Sequence, residues 1–146
     1  MKRPFVLLSV FLIISGCDSR IMESLVGSNS KYADTPALGE KFFVQIGKEA
    51  YFESERMRIK FASVPMDCRC PEGALCVWEG YVEIVLNVTQ TGREPLDLAL
   101  STYYDKDGIT FYDYSLALID VMPGPSLSHE RDTTAYKAEL ILKKLP

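Results

Sequence analysis

Hydrophobic and polar residues alternate along most of the chain after about residue 40. A period of two puts successive side chains on opposite faces of a strand, so each alternating run predicts a β-strand with one buried face. Five runs are clear and two are weaker. The clear runs are 57–61, 82–88, 96–100, 112–118 and 136–142, and the weaker ones are 42–46 and 50–53.

Turn-forming residues separate these runs. Segments 91–93 and 105–108 are typical of hairpin turns, and the Pro-Gly-Pro sequence at 123–125 opens a loop to about residue 133. No run has the period of a long amphipathic helix. Short strands joined by frequent turns predict an all-β fold over residues 40–146, an antiparallel β-sandwich of roughly immunoglobulin-like kind. A small barrel is the alternative.

The first residues follow a different pattern. Lys2 and Arg3 precede an apolar run over residues 5–14, and Ile-Ser-Gly-Cys follows at residues 14–17. This order is typical of an export signal. The last four residues resemble the bacterial lipobox, and the resemblance implies a signal peptide at 1–16 and a lipid on Cys17. The apolar run is half the roughly 20 residues that a membrane-spanning helix needs. A plain cleaved signal is the alternative.

Residues 17–39 would connect that lipidated cysteine to the domain. After Cys17 the segment is rich in small polar residues and has no sustained period, apart from a short apolar patch at 21–26. Such a composition predicts a flexible tether. We therefore expect one domain anchored by lipid to a membrane of the bacterial cell envelope, facing the periplasm or the cell surface.

Charge excludes one class of partner. Lys2 and Arg3 leave with the signal, so the 16 basic residues fall to 14 against 20 acidic ones, and the formal charge of −4 becomes −6. Binding to nucleic acid depends on clustered Lys and Arg, which this sequence lacks. The remaining length suits a single domain.

The most specific motif lies between residues 66 and 80. It combines Asp-x-Arg-Cys-Pro with Cys-x-Trp-x-Gly, through Asp67, Arg69, Cys70, Pro71, Cys76, Trp78 and Gly80. These residues resemble a widespread set of bacterial secreted proteins and lipoproteins, most of them uncharacterised. The likeness covers about residues 40–143 and implies export and fold, but no reaction or ligand. This chain has Cys68 where that pattern has serine.

Three cysteines remain once Cys17 carries lipid, an odd number for an oxidising compartment. The spacing favours a disulfide between Cys70 and Cys76, with a Cys68 to Cys76 bridge or no bridge as alternatives. The favoured pairing leaves Cys68 as a free thiol. We expect that thiol to be buried like a small hydrophobe, and the alternative is an exposed thiol that exchanges with the bridge or with another chain.

Interaction residues are predicted around the same motif. Asp67 and Arg69 are expected to anchor the loop through hydrogen bonds and an ion pair, with contact to a partner as the alternative. Trp78 is expected to be buried near the disulfide, with a ligand platform as the alternative. A second aromatic group is predicted to lie mostly in the core, or else to form an exposed patch for a glycan or a protein. It consists of Tyr103, Tyr104, Phe111, Tyr112 and Tyr114.

Catalytic patterns are scarce. His129 is the single histidine, and no serine has a nucleophile-elbow motif around it. We therefore expect a non-enzymatic interaction or structural accessory module without a cofactor, whose partner is an unidentified envelope protein or glycan. The alternatives are a soft-metal site, for copper, and a small envelope hydrolase. The metal would use Met66, Cys68 and Cys70, and the hydrolase would use His129 or the pairs Asp105 with Asp107 and Asp113 with Asp120.

Overall fold

The structure, a computed structural model, describes residues 35–128 and 132–146. The predicted signal peptide at 1–16, Cys17, most of the tether and His129 lie outside the described residues. Within the two described ranges the chain forms strands and no helix, and thus no helix able to cross a membrane.

Eight strands form two four-stranded sheets. Their order in the sheets is β2-β3-β4-β5 and β1-β8-β7-β6, and every neighbouring pair is antiparallel. The strands are β1 (Lys41–Gln45), β2 (Glu49–Phe52), β3 (Met57–Asp67), β4 (Val82–Gln90), β5 (Leu96–Ser101), β6 (Ile109–Phe111), β7 (Tyr114–Met122) and β8 (Lys137–Lys144). The predicted β-sandwich is confirmed. The strand order differs from the immunoglobulin arrangement, because four consecutive strands here form one whole sheet.

The core lies between the two sheets and follows the alternation of the sequence. On β4, Val82, Ile84, Leu86 and Val88 are fully buried, while the residues between them are partly exposed. Alternate residues of β7 and β8 supply the opposing layer, for example Leu140. Each buried aliphatic side chain contributes about 1.5–3 kcal/mol, so this two-sided packing is the main source of stability.

The strand predicted over residues 112–118 is wrong at its start. Tyr112 and Asp113 form a two-residue turn, and Phe111 pairs with Tyr114 across it. Tyr112 takes a positive φ of 48°. A turn normally shows itself by Gly or Asn, and here the aromatic alternation continues through it, so the sequence pattern hid the short strand β6.

The prediction that segment 105–108 forms a hairpin turn is also wrong. The segment does not close a hairpin, because β5 and β6 belong to different sheets. It is part of a crossover, residues 102–108, that carries the chain from one sheet to the other. The predicted turn at 91–93 does join two paired strands, β4 and β5.

The two ends of the sandwich have different roles. At one end the β3–β4 connection, the crossover and the loop between β7 and β8 come together. The described chain begins at the opposite end, where the amide of Gly39 donates to the carbonyl of Leu142 at 2.7 Å and Lys41 lies opposite Ile141. The strands therefore separate the start of β1 from these loops.

Glu55 connects the two sheets at the end of the sandwich where β1 starts. Its carboxylate accepts hydrogen bonds from the Tyr114 hydroxyl and from Lys144 Nζ, the second at 3.0 Å. Gln90 Nε2 donates to the Glu55 carbonyl at 3.0 Å and to the Tyr114 hydroxyl at 3.2 Å. The Tyr114 hydrogen bond, followed by Lys144, holds the pKa of Glu55 below its ordinary value of 4.5.

We predict that Glu55 makes stability depend on pH. Because its pKa is lowered by folding, its stabilisation is present above about pH 4.5 and is lost as pH falls through the folded-state pKa. Glu55→Gln should lower the free energy of unfolding by about 1–2 kcal/mol at pH 7 and by less at pH 3. Urea unfolding at both pH values measures this. Glu53→Gln, an exposed neighbour, is the control, and an equal loss in both variants would contradict the assignment.

Candidate functional site

The connection between β3 and β4, which we call the disulfide loop (residues 68–81), continues the pairing of those strands. The amide of Cys68 donates to the carbonyl of Tyr81 at 2.9 Å, and the amide of Cys70 donates to that of Glu79 at 2.8 Å. At the tip, Cys70 and Cys76 form the predicted disulfide, with their Cα atoms 6.0 Å apart. The loop is therefore a stapled extension of the β3–β4 hairpin.

Gly80 makes this pairing possible. Its φ is +70°, and a Cβ added there would lie 1.9 Å from the carbonyl oxygen of Cys68. No side chain fits at that distance, so glycine is required where the loop returns to β4. This gives a physical reason for the glycine that ends the Cys-x-Trp-x-Gly motif.

A buried ion pair holds the base of the loop. Arg69 donates from Nε and Nη2 to the two carboxylate oxygens of Asp67, at 2.9 and 2.8 Å. Its guanidinium also donates to the carbonyls of Val121 and Pro123, the second at 3.0 Å. The Tyr136 hydroxyl donates to Asp67 at 2.8 Å. These bonds connect β3 to the loop after β7 and to the start of β8, so the predicted anchoring role of Asp67 and Arg69 matches their contacts.

The electrostatics of this pair follow from its burial. The Asp67 side chain is 2% exposed and that of Arg69 is 16% exposed. Burial alone would raise the pKa of Asp67, but hydrogen bonds from Arg69 and Tyr136 and the charge of Arg69 outweigh it and lower that pKa. Burial would likewise lower the pKa of Arg69, and the contact with Asp67 reverses the direction. Both groups are ionised at neutral pH.

A groove of about 810 Å³ runs between the disulfide loop and the loop after β7. Arg69, Pro71, Pro125 and Tyr136 line it, among others. The Glu72 amide donates to the Pro125 carbonyl at 2.9 Å and joins the two walls. Glu72, Asp132 and two serines also line the groove, so it presents carboxylates and hydroxyl groups beside the prolines.

Four aromatic rings, two from the disulfide loop and two from the crossover, lie together, and we call this set the aromatic surface. Neighbouring ring centroids are 5.0–6.1 Å apart, mostly edge to face. Such geometry is favourable for aromatic pairs. The four residues are Trp78, Tyr81, Tyr103 and Tyr104. Trp78 is 51% exposed and Tyr104 is 70% exposed, so an extensive aromatic area faces solvent.

The prediction that Trp78 is buried is wrong. The disulfide loop extends past Val82, the first core residue of β4. Trp78 is therefore beyond the layer that the two sheets enclose, and its ring contacts are Tyr81 and Tyr103. The ligand-platform alternative fits this position better than the core one.

The crossover holds its two tyrosines on a fixed backbone. Thr102 pairs with Val82 through both its amide, at 3.0 Å, and its hydroxyl, at 3.1 Å. The buried Ser101 hydroxyl accepts hydrogen bonds from the amides of Tyr103 and Tyr104 at 3.2 and 3.4 Å. Of the predicted aromatic group, Phe111 and Tyr114 lie in the core and Tyr112 lies in the β6–β7 turn, so the exposed part is Tyr103 with Tyr104.

Cys68 is the free thiol that was predicted, but its predicted burial is wrong. It is exposed, and its Sγ donates to the Tyr81 carbonyl at 3.4 Å. Alternation along an extended chain explains the exposure, because Asp67 and Arg69 take the inward positions on either side. Burial raises the pKa of Tyr81, and the nearby charges of Cys68, Tyr104 and Glu83 raise it further.

Among the described residues, two of the predicted alternative sites do not come together: the sulfur trio and the pair Asp113 with Asp120. The disulfide removes the Cys70 thiolate from the proposed trio of Met66, Cys68 and Cys70, and the described residues contain no cluster of three His, Cys, Asp or Glu suited to a metal ion. Asp113 lies just before β7, and Asp120 lies near the far end of that strand. At about 3.3 Å per residue they are roughly 23 Å apart, whereas glycosidase carboxylates lie about 5–9.5 Å apart. Asp105 accepts a hydrogen bond from the Ser101 amide within the crossover.

Comparison with family models, with curated proteins and with solved structures gives no match to this chain. The resemblance carried by Asp67, Cys70, Cys76 and Trp78 therefore stays a prediction from sequence.

Removing the positive partner of the buried pair should be costly. Arg69→Met leaves Asp67 buried without its counter-charge, and we expect a loss of about 3–5 kcal/mol in the free energy of unfolding. Arg93→Met breaks the exposed pair with Asp113 and should cost at most about 1 kcal/mol. The double variant Asp67→Leu with Arg69→Met should recover part of the loss, because no unpaired charge remains. Urea unfolding measures all three, and an Arg69→Met variant as stable as Arg93→Met would contradict the role of the pair.

Proposed function

We propose that this chain is a non-enzymatic, lipid-anchored interaction module of the bacterial cell envelope. The observation that carries the proposal is the exposed aromatic surface of Trp78, Tyr81, Tyr103 and Tyr104. Contiguous exposed apolar area on a small domain typically marks a binding site, and Trp and Tyr are enriched in such sites.

The support beneath these rings favours binding over incidental exposure. The disulfide at Cys70 and the Arg69 ion pair fix one loop, and hydrogen bonds to Ser101 and Thr102 fix the other. Rings that are already ordered lose little conformational freedom when a partner covers them. Aromatic side chains in that state are typical binding hot spots.

The proposed anchorage fits the position of this surface. The chain joins the sandwich beside Leu142, at the end opposite the aromatic surface. A lipid on Cys17 would thus leave the rings facing away from the attached end and accessible to an envelope protein or glycan. In this proposal Asp67 and Arg69 position the loop, and Trp78 contacts the partner.

A photo-crosslinking amino acid at position 104 tests the interaction in intact cells. We expect a discrete adduct at Tyr104, the most exposed of the four rings, and loss of that adduct when Trp78 is replaced by Ala. The same probe at Tyr51, on β2 near the other end, is the control. No adduct at 104, or identical adducts at both positions, would contradict the proposed function.

The anchor has a separate test. Cys17→Ser should move the protein out of the membrane fraction and remove the mass of the acyl groups, because no thiol remains to carry the lipid. Cys68→Ser should stay in the membrane fraction with its lipid. Fractionation with intact-mass analysis compares the two, and unchanged mass and location for Cys17→Ser would show that the anchor assignment is wrong.

A further inference from the structure

Acidic side chains accompany the aromatic surface. Residues 70–83 and 101–108, which supply all four rings, contain five carboxylates and a single basic side chain, Lys106. The carboxylates belong to Glu72, Glu79, Glu83, Asp105 and Asp107. The nearest cationic group at the base of the loop, Arg69, is largely buried and paired with Asp67, so it does not offset these charges. The rings therefore lie in a negative local field.

Most of these carboxylates follow a ring-bearing residue within three positions of the chain. Glu79 follows Trp78 directly and is exposed. Glu83 lies two residues after Tyr81 on the same strand face, and its charge acts on the Tyr81 hydroxyl. Asp107 is exposed beyond Tyr104 on the crossover. On both loops, exposed or partly exposed carboxylates thus follow the ring-bearing residues within three positions of the chain.

One ring of the surface already has a cation near its face. Lys106 Nζ lies 5.5 Å from the centroid of Tyr103. That distance is within the range at which a ring quadrupole attracts an ammonium or guanidinium group, and Trp is the strongest of the aromatic acceptors. Trp78 is half exposed and offers the same kind of face.

We infer that the aromatic surface binds a segment of a partner protein that presents Lys or Arg side chains. This inference rests on the proposed function and names the chemistry of the partner. The cations would stack on the rings of Trp78 and its neighbours, while Glu79, Glu83 and Asp107 complement their charge.

Other occupants fit these charges less well. A neutral glycan can donate hydroxyl hydrogen bonds to the carboxylates, but it carries no charge for their negative field to attract. A second copy of this chain brings the same acidic surface and, after loss of residues 1–16, a formal charge of −6, so the two would repel. Anionic lipid is repelled for the same reason, and the attached membrane lies toward Leu142 at the other end. A basic protein segment satisfies both the rings and the carboxylates.

Trp78 is the only tryptophan of the chain, so its fluorescence reports on this surface directly. The first measurement uses the mature lipoprotein in phosphatidylcholine nanodiscs, without a ligand. Each ion is compared with its quenching of free N-acetyl-tryptophanamide, because caesium is intrinsically the weaker quencher. On that scale caesium should quench Trp78 more efficiently than iodide, and added salt should reduce the difference, because a negative field concentrates cations at the ring. Equal relative quenching, or stronger relative quenching by iodide, would overturn the inference.

The second measurement titrates the same sample with a short synthetic peptide that carries three Arg among Gly and Ser. We expect a saturable change in Trp78 fluorescence whose Kd rises with salt, and binding at least about tenfold weaker when the three Arg are replaced by Gln. Glu79→Gln combined with Asp107→Asn should weaken binding by about tenfold. Glu53→Gln combined with Glu94→Gln, which removes two exposed carboxylates elsewhere, should leave the Kd unchanged.

The remaining outcomes separate the inference from the proposed function. Equal binding of the Arg and Gln peptides, no binding of either, or preferred binding of chitohexaose would overturn the basic-segment inference. A change in Trp78 emission on transfer to phosphatidylglycerol nanodiscs, without a peptide, would replace it with a membrane contact. In each case an adduct at position 104 in cells would still support an interaction module, whereas the absence of any adduct at 104 with Trp78 intact would remove the proposed function itself.

Discussion

The Asp67–Arg69 ion pair is the interaction on which the functional end of this protein depends. It is bidentate and largely buried, and it reaches from β3 to the Val121 carbonyl in β7, to the Pro123 carbonyl just after that strand and to Tyr136 before β8. A buried pair of this kind adds little net stability compared with apolar packing, since both charges lose their hydration. The pair instead fixes the position of the disulfide loop, because its directional hydrogen bonds join the end of β3 to β7, to the loop after β7 and to Tyr136.

Because the Asp67–Arg69 pair holds the base of the disulfide loop, the domain can keep the aromatic surface ordered outside its core. The disulfide loop extends past Val82, the first buried residue of β4. Polar and covalent restraints take over there: the ion pair below, the Cys70–Cys76 bridge at the tip and the backbone bond from Glu72 to Pro125 at the side. The core thus stabilises the sandwich, whereas the polar network orients the candidate site.

Sequence reasoning succeeded where one local rule decides the outcome. Alternation located seven of the eight strands, since each strand buries one face against the other sheet. The short loop from Cys70 to Cys76, with Pro71 and Gly73 to turn the chain, likewise favoured the disulfide that the structure contains.

Sequence reasoning failed where burial depends on what lies opposite a residue. Trp78 and Cys68 are both exposed because they belong to a hairpin extension that no strand covers, and the length of that extension has no signature in the hydrophobic pattern. The left-handed Tyr112 was hidden in the same way, because a turn without glycine looks like a continuing strand.

The separation between the chain entry and the aromatic surface also has a mechanical consequence. A partner held at the rings, and a tether pulled at residue 39, would load the domain along its strands instead of across them. β1 pairs with β8 over five residues, from Lys41 to Gln45, and its hydrogen bonds are perpendicular to that force. In shear these bonds share the load and must break together, whereas in a peeling geometry they would open one after another. Under the proposed anchorage, the first strand would act as a force-bearing clamp between the membrane and whatever the rings hold.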